Sequence, residues 1–133
     1  MKISKRSCCP VSSALDFLGD KWSLLIVRDI IFQDKITFKE FLESDEKIST
    51  NILSDRLSRL EAQGIISKSN HPLNKVVKIY RLTPKGLDLL PILFEFILWS
   101  NDYLDIADEG RVLAEEIHKD RQGLLESLRK KHL

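Results

Sequence analysis

Between Lys47 and Gly64 the chain carries Ser49, Thr50, Asn51, Ser54, Asp55, Arg56, Ser58 and Arg59, a run of short hydrogen-bonding groups with two guanidinium groups. Such side chains, held on one side of a helix, can exchange hydrogen bonds with base edges in a DNA groove, and the arginines can hold phosphate or a guanine edge. The periodicity of KISTNILSDRLSRLEAQG allows it: Ile48, Leu53, Leu57 and Leu60 fall on one side of a helix, with Asn51, Asp55, Ser58 and Arg59 opposite. Ser49 is the expected N-cap, and Gly64 can take the left-handed conformation that closes the last turn. Thr50, Asn51, Ser54 and Asp55 are therefore the residues predicted to meet bases, Ser49 joins them on the DNA-binding surface, and Arg56 and Arg59 are those predicted to meet phosphate or guanine. Arg56 has a rival role, an ion pair with Glu61 or another acid. The competing reading of the whole stretch is a surface helix with a solvated polar face.

Cys8 and Cys9 are the other candidates for chemistry. Cys9 precedes a helix start at Pro10, with Lys5 and Arg6 close in sequence, and both the helix dipole and the cations favour thiolate. One reading is a thiol sensor, in which oxidation, alkylation or an intersubunit disulfide shifts the DNA affinity of a dimer. The other is that one cysteine is buried packing and its neighbour incidental. A bond between the two is disfavoured because the small ring strains disulfide geometry. His71, His118 and His132 are scattered and match no zinc spacing, so no metal is expected. There is no phosphate loop, nucleophile-base-acid order or paired carboxylate, and so no basis for an enzyme or a cofactor.

The elements around the polar helix decide between its two readings. Upstream, Thr37 to Glu43 predicts a short helix with Thr37 as cap, Glu40 as its capping-box partner, and Phe38, Phe41 and Leu42 as the apolar side. Downstream, Ile65 to Ser69 and Val76 to Leu82 are strand-like, joined by a turn around Pro72 and Asn74. Helix, turn, helix, hairpin is the order of a winged helix-turn-helix, whose second helix enters the major groove. The hairpin holds Lys68, Lys75, Lys78 and Arg81 and no acid, and residues 1 to 10 hold Lys2, Lys5 and Arg6 and no acid, although the whole chain has a formal charge of only +1. Lys75, Lys78 and Arg81 are the predicted phosphate ligands.

The remaining stretches supply the body. Val11, Leu15 and Leu18 lie along one face of a first helix, Gly19-Asp20 interrupts, and Lys21 to Ile31 is rich enough in aliphatic residues to be the hub of the core. Thr83-Pro84 starts another helix. Over Leu87 to Trp99 apolar residues cover nearly the full circumference: Leu87, Leu90, Phe94, Ile97 and Leu98 form one stripe, and Leu89, Ile92, Leu93 and Phe96 a second. A small domain can bury one stripe, and a twofold homodimer is the commonest cover for the other. Pro91 is expected to kink this helix or end its first turn. From Asn101 the chain turns acidic, and Asp108-Glu109-Gly110 punctuates it. Leu113, Ile117, Leu124 and Leu128 then predict one last amphipathic helix, weakened at Gly123, that folds back or extends the dimer contact.

With 133 residues, 43% of them hydrophobic and 31% charged, the chain fits one domain, residues 1–133. No run approaches the ~18 uncharged apolar residues of a membrane span, and the N-terminus lacks a signal-peptide pattern, so a cytoplasmic protein with no membrane partner is predicted.

Several words of this sequence also resemble a known family: Cys9-Pro10, Gly19 to Ile26 (GDKWSLLI), Thr37 to Phe41, Leu53 to Glu61, Gly64-Ile65-Ile66 and Tyr80 to Gly86 (YRLTPKG). In this order and with loop-sized gaps they are similar to the HxlR-type winged helix-turn-helix transcriptional regulators, over residues 8–107. The resemblance implies a dimeric regulator whose first and last domain helices form the dimer contact, and whose recognition helix and wing meet a roughly palindromic operator. Some regulators of this kind sense reactive species through such a cysteine. Where the family carries a basic and an acidic residue before the last-strand tyrosine, this chain has Val77-Lys78-Ile79, so its wing rests on Lys75 and Lys78.

The fold predicted is mainly α with a small β-hairpin, an α+β winged helix-turn-helix with N- and C-terminal dimerisation helices, a DNA-binding core at about 36–83 and a C-terminal helical extension at 108–133. The predicted function is sequence-specific binding of double-stranded DNA by a homodimer that regulates transcription, controlled by thiol oxidation or by an unidentified small-molecule effector. The alternatives are a winged helix that docks protein through its acidic C-terminal segment and apolar helix without binding DNA, and a regulator of another family with a ligand pocket between the core and the C-terminal helices.

Overall fold

The computed structural model describes residues 7–133; Lys2, Lys5 and Arg6, the predicted basic N-terminus, lie outside the described residues. In chain order the elements are α1 (Pro10–Leu18), α2 (Ser23–Gln33), α3 (Phe38–Leu42), α4 (Thr50–Ala62), β1 (Ile66–Asn70), β2 (Lys78–Leu82), α5 (Pro84–Leu87), α6 (Leu90–Tyr103), α7 (Asp108–Lys119) and α8 (Arg121–His132). This is a winged helix-turn-helix inside a largely helical body.

The core forms where the apolar faces of these helices converge. Ile26, Val27, Ile30 and Ile31 of α2 are buried against Phe41 of α3, Leu53, Leu57 and Leu60 of α4, and Leu90, Leu93 and Phe94 of α6. α2 is thus the hub, starting two residues later than the sequence suggests. The reason is Asp20, whose Oδ1 accepts from the backbone N–H of Trp22 and Ser23 (2.8 and 2.9 Å), so the first turn opens at Ser23. The short α3 has its predicted capping box: Thr37 Oγ1 accepts from Glu40 N, and the Glu40 carboxylate accepts from Thr37 N. Burial would push the Glu40 carboxyl up, but hydrogen bonds from Ile36 and Thr37, with Lys35 nearby, hold it below its ordinary value.

β1 and β2 pair antiparallel, Ile66 opposite Leu82 and Asn70 opposite Lys78. One further rung, Tyr80 N to Ile36 O at 2.7 Å, ties the hairpin to the segment before α3.

Four expectations are corrected. The apolar stretch from Leu87 is not one helix: α5 ends at Leu87 and α6 begins at Leu90. Pro91 sits in the first turn of α6, where its missing N–H leaves no bond unmade, so it starts a helix and does not kink one. Leu93 belongs to the core, and the uncovered stripe is Ile92, Phe96, Trp99 and Tyr103, at steps of four, three and four residues. The C-terminal segment is two helices, with Asp108, Glu109 and Gly110 inside the first turn of α7. The chain breaks at Asp120, whose side chain then caps α8 through Gly123 N.

Of the two arrangements expected for that segment, the structure has the fold-back. Ala114 and Ile117 are buried, Leu124, Leu125 and Leu128 pack on the core, and the last turn returns to α2, with Lys131 Nζ 3.0 Å from Asp34 Oδ1 and the His132 ring 3.0 Å from Ile31 O. No helix of the described residues is long and apolar enough to cross a membrane.

Candidate nucleic-acid interface

α4 is built to hold its polar face still. Ser49 Oγ accepts from Ile52 N at 3.3 Å, and Gly64, with φ +74°, carries the chain out of the helix. The next turn clasps that exit. Thr83 Oγ1 donates to the Ile65 carbonyl (3.1 Å), and Lys85 Nζ donates to the Gln63 carbonyl at the helix C-terminus (2.7 Å), where a cation also meets the negative end of the dipole. Gly86 must be glycine, since a Cβ there would lie 2.2 Å from the Ile65 carbonyl oxygen. At the other end, Lys47 takes a left-handed conformation (φ +57°) that turns the chain from α3 into Ile48.

With Leu53, Leu57 and Leu60 buried, Thr50, Asn51, Ser54, Asp55 and Ser58 are exposed along the outer side of α4. Ser49 is also exposed, its hydroxyl used as the cap. Arg59 lies half-buried one turn before the helix end. Arg56 takes its rival role, and its acid is not Glu61: its Nε donates to Asp20 Oδ1 at 3.0 Å, and its Nη1 donates to Asp55. The guanidinium thus bridges the α1–α2 turn to the polar face of α4, and Asp55 shares it.

Asp20 is the residue that sequence reasoning missed. Burial pushes its carboxyl up, but hydrogen bonds from the Ser23 hydroxyl, from the Trp22 and Ser23 backbone and from Arg56 outweigh this and bring the pKa down to about 2. The local half of this was legible, since an Asp followed three residues later by Ser at a helix start is a capping signal. The other half, a partner 36 residues away, was not. Because the folded-state pKa lies below the ordinary 3.8, the stabilisation is complete above about pH 4 and is lost as pH falls toward 2. Asp20→Asn keeps an acceptor for the cap but removes the charge facing Arg56. We expect a loss of about 1 kcal/mol at neutral pH and a flatter acid limb, both read from urea unfolding at pH 7 and pH 3.

On the hairpin, Lys68, Lys75, Lys78 and Arg81 are all exposed. Lys75 stands in the loop, whose shape is fixed by His71 N to Val77 O (2.9 Å) and Val76 N to Asn74 Oδ1 (3.1 Å). Lys78 lies opposite Asn70 and donates to its side chain, while Arg81 lies opposite Ser67. Strand alternation puts Lys78 and Arg81 on opposite faces of the ribbon, so the hairpin does not gather all three predicted phosphate ligands on one side. Cys8 and Cys9 are both exposed, with Cys9 at the N-cap of α1. Within the protomer neither cysteine is buried packing: the pair precedes the first turn of a helix that itself buries no residue. Among the described residues no group of His, Cys, Asp and Glu could hold a metal ion.

A model of HxlR-like helix-turn-helix proteins matches residues 17–108. The HTH-type transcriptional regulator YodB of Bacillus subtilis strain 168 is 32% identical over 101 residues, spanning 76% of this chain and 89% of YodB. Its reduced form superposes with a TM-score of 0.58 at 33% identity, covering 77% of this chain and all of that one. The redox regulator HypR in its oxidised form gives 0.63 at 31% identity over 74% of this chain and all of its own. The PA1607 crystal structure gives 0.69 at 38% identity over 78% of this chain and 71% of its own. With a capped polar helix, a hairpin at its side and these relatives, the chain belongs to the HxlR-like helix-turn-helix family and is a DNA-binding transcriptional regulator.

Proposed function

We propose that the protein acts as a homodimer on a roughly palindromic operator, with residues 36–83 as the DNA-binding core and with thiol chemistry at Cys9 setting operator affinity. The observation that carries the reading is the presence on one protomer of two uncovered faces of opposite character. α4 offers hydroxyls, an amide and a carboxylate beside an acid-free hairpin, and α6 offers Ile92, Phe96, Trp99 and Tyr103, with Val11 and Leu15 of α1 likewise uncovered. The first face suits base edges, and the second is the kind of stripe that a twofold partner covers. Thr50, Asn51, Ser54 and Asp55 approach bases, Arg59 a phosphate or guanine edge, and Lys75 in the wing loop, with whichever of Lys78 and Arg81 stands on the duplex side of the ribbon, phosphates. Arg56 positions α4 through Asp20 and does not spend its charge on DNA. α7 and α8 brace the body.

The test is selection of bound sequences from a random duplex pool with reduced and with oxidised protein. A symmetric site recovered with reduced protein is expected, and a pool that stays random with both forms would overturn the reading in favour of a protein-docking module. Lys75→Ala should weaken binding to all duplexes and lower the salt slope by about one unit, measured by titration between low and moderate salt. An unchanged slope would take the wing loop out of the contact.

Thiol control draws support from two exposed cysteines ahead of α1 and from the relatives HypR, a redox regulator, and YodB, whose structure is also known after diamide treatment. Cys9→Ser should retain operator binding under diamide that abolishes it in the parent, read by gel shift. Equal loss in both would remove Cys9 as the switch.

A further inference from the structure

We infer that the groove between α1, α2, α6 and α7 is an effector site for a small, largely apolar molecule carrying one negative charge. The groove has a volume of about 750 Å³, within the range of roughly 300–1,000 Å³ that small-molecule sites occupy. Its floor is apolar: Leu18, Leu24, Leu93, Ile97 and Leu113 line it and pack against the core beneath. That floor sets the body of the ligand.

The rim sets its charge. Arg28 is held by Asp29 and Glu46, and Asp20 by Ser23 and Arg56, so neither is left to a ligand. Lys21 lines the groove and forms no ion pair among the described residues; its ammonium lies 4.8 Å from the centre of the Trp22 ring, a contact that leaves its positive charge unneutralised. Glu109 lines the α7 side and disfavours an anion there, so the negative end points to Lys21.

A second copy of the chain is the other conceivable occupant. The groove is walled by four helices of one protomer, and of the uncovered apolar residues Val11, Leu15, Ile92, Phe96, Trp99 and Tyr103 only Leu15 and Phe96 line it. A partner seated on the stripe meets the lip and leaves the floor open.

The groove also reaches the DNA-reading helix. Gly19 and Asp20 form part of its wall, and the Asp20 carboxylate that holds Arg56 of α4 belongs to that same turn. A ligand that fits better when this turn moves will change operator affinity, and operator will change ligand affinity by the same factor. This second step rests on the DNA-binding reading; the site itself does not.

The probe is 1-anilinonaphthalene-8-sulfonate, an apolar aromatic with one sulfonate, titrated by fluorescence into the full-length protein. Saturable binding is expected, weakened about tenfold by Lys21→Gln, a change at an exposed residue that leaves the core intact, and abolished by Ile97→Trp, which fills the floor. If Trp99→Ser abolishes the signal while the other two variants keep it, the dye lies on the α6 stripe and the site falls. If the signal vanishes as protein concentration brings copies together, a second copy owns the groove and the site also falls. With bound operator, saturating dye should change the operator Kd about fivefold or more in the parent and leave it unchanged in Arg56→Gln. Dye binding without a change in operator Kd would overturn the coupling, and failure to bind any duplex would overturn the DNA reading while the dye titration still decides the site.

Discussion

Phe96→Glu combined with Trp99→Glu should give a folded monomer whose operator affinity is lower by about 10²–10⁴-fold. Both residues are more than half exposed on one protomer, at 57% and 58%, so the charges meet water there and the helical circular dichroism is expected to be unchanged. In the proposed pair the same carboxylates would face apolar surface, where an unpaired charge is costly. The loss in affinity follows from geometry: once one half-site is engaged, a joined partner meets the other at millimolar effective concentration, and separate protomers lose that advantage. Sedimentation and operator titration on the same sample check it. A dimer that survives both carboxylates would move the interface off α6.

Phe41→Ala should cost about 3–5 kcal/mol of stability. Phe41 is 1% exposed in α3, and its ring stands edge-on to Tyr80 of β2, with centroids 6.1 Å apart at 63°. It thus fills the space between the first helix of the helix-turn-helix and the wing, and removing it leaves a cavity beside the Tyr80 N to Ile36 O bond that ties the two together. Denaturant unfolding gives the magnitude. Wing resonances broadening before those of α6 would locate the damage, whereas a loss under 1 kcal/mol would mean that Leu53 and Tyr80 close the gap.

What could be read in the sequence was what neighbouring residues decide among themselves. Thr37 with Glu40, Ser49, Gly64 and Thr83 with Pro84 each mark a helix end through bonds spanning three or four residues, and each stands where the spacing predicted. The alternation of Leu53, Leu57 and Leu60 with polar neighbours likewise fixed which side of α4 faces outward. Features that depend on partners far along the chain were not readable. Arg56 could be suspected of an ion pair, but choosing Asp20 over Glu61 requires the α1–α2 turn to be folded against α4. The return of Lys131 to Asp34 spans 97 residues. The break before α6 was obscured by composition, because leucines on both sides of Asp88 read as one apolar stretch. The basic residues of the hairpin were correctly counted, but their sides follow from the register of Asn70 with Lys78.

α1 contributes no residue to the interior of its own protomer, and its anchoring there rests on half-covered side chains such as Phe17 and Leu18. A helix so lightly held gains most of its order from whatever closes over Val11 and Leu15. On the proposed pairing, the surroundings of the adjoining thiols then depend on how much protein is present: dilution uncovers the helix that Cys9 precedes and leaves both thiols in open solvent. The access of an oxidant to these cysteines would then change with the abundance of the regulator, so that a scarce pool and a plentiful one answer the same oxidant differently.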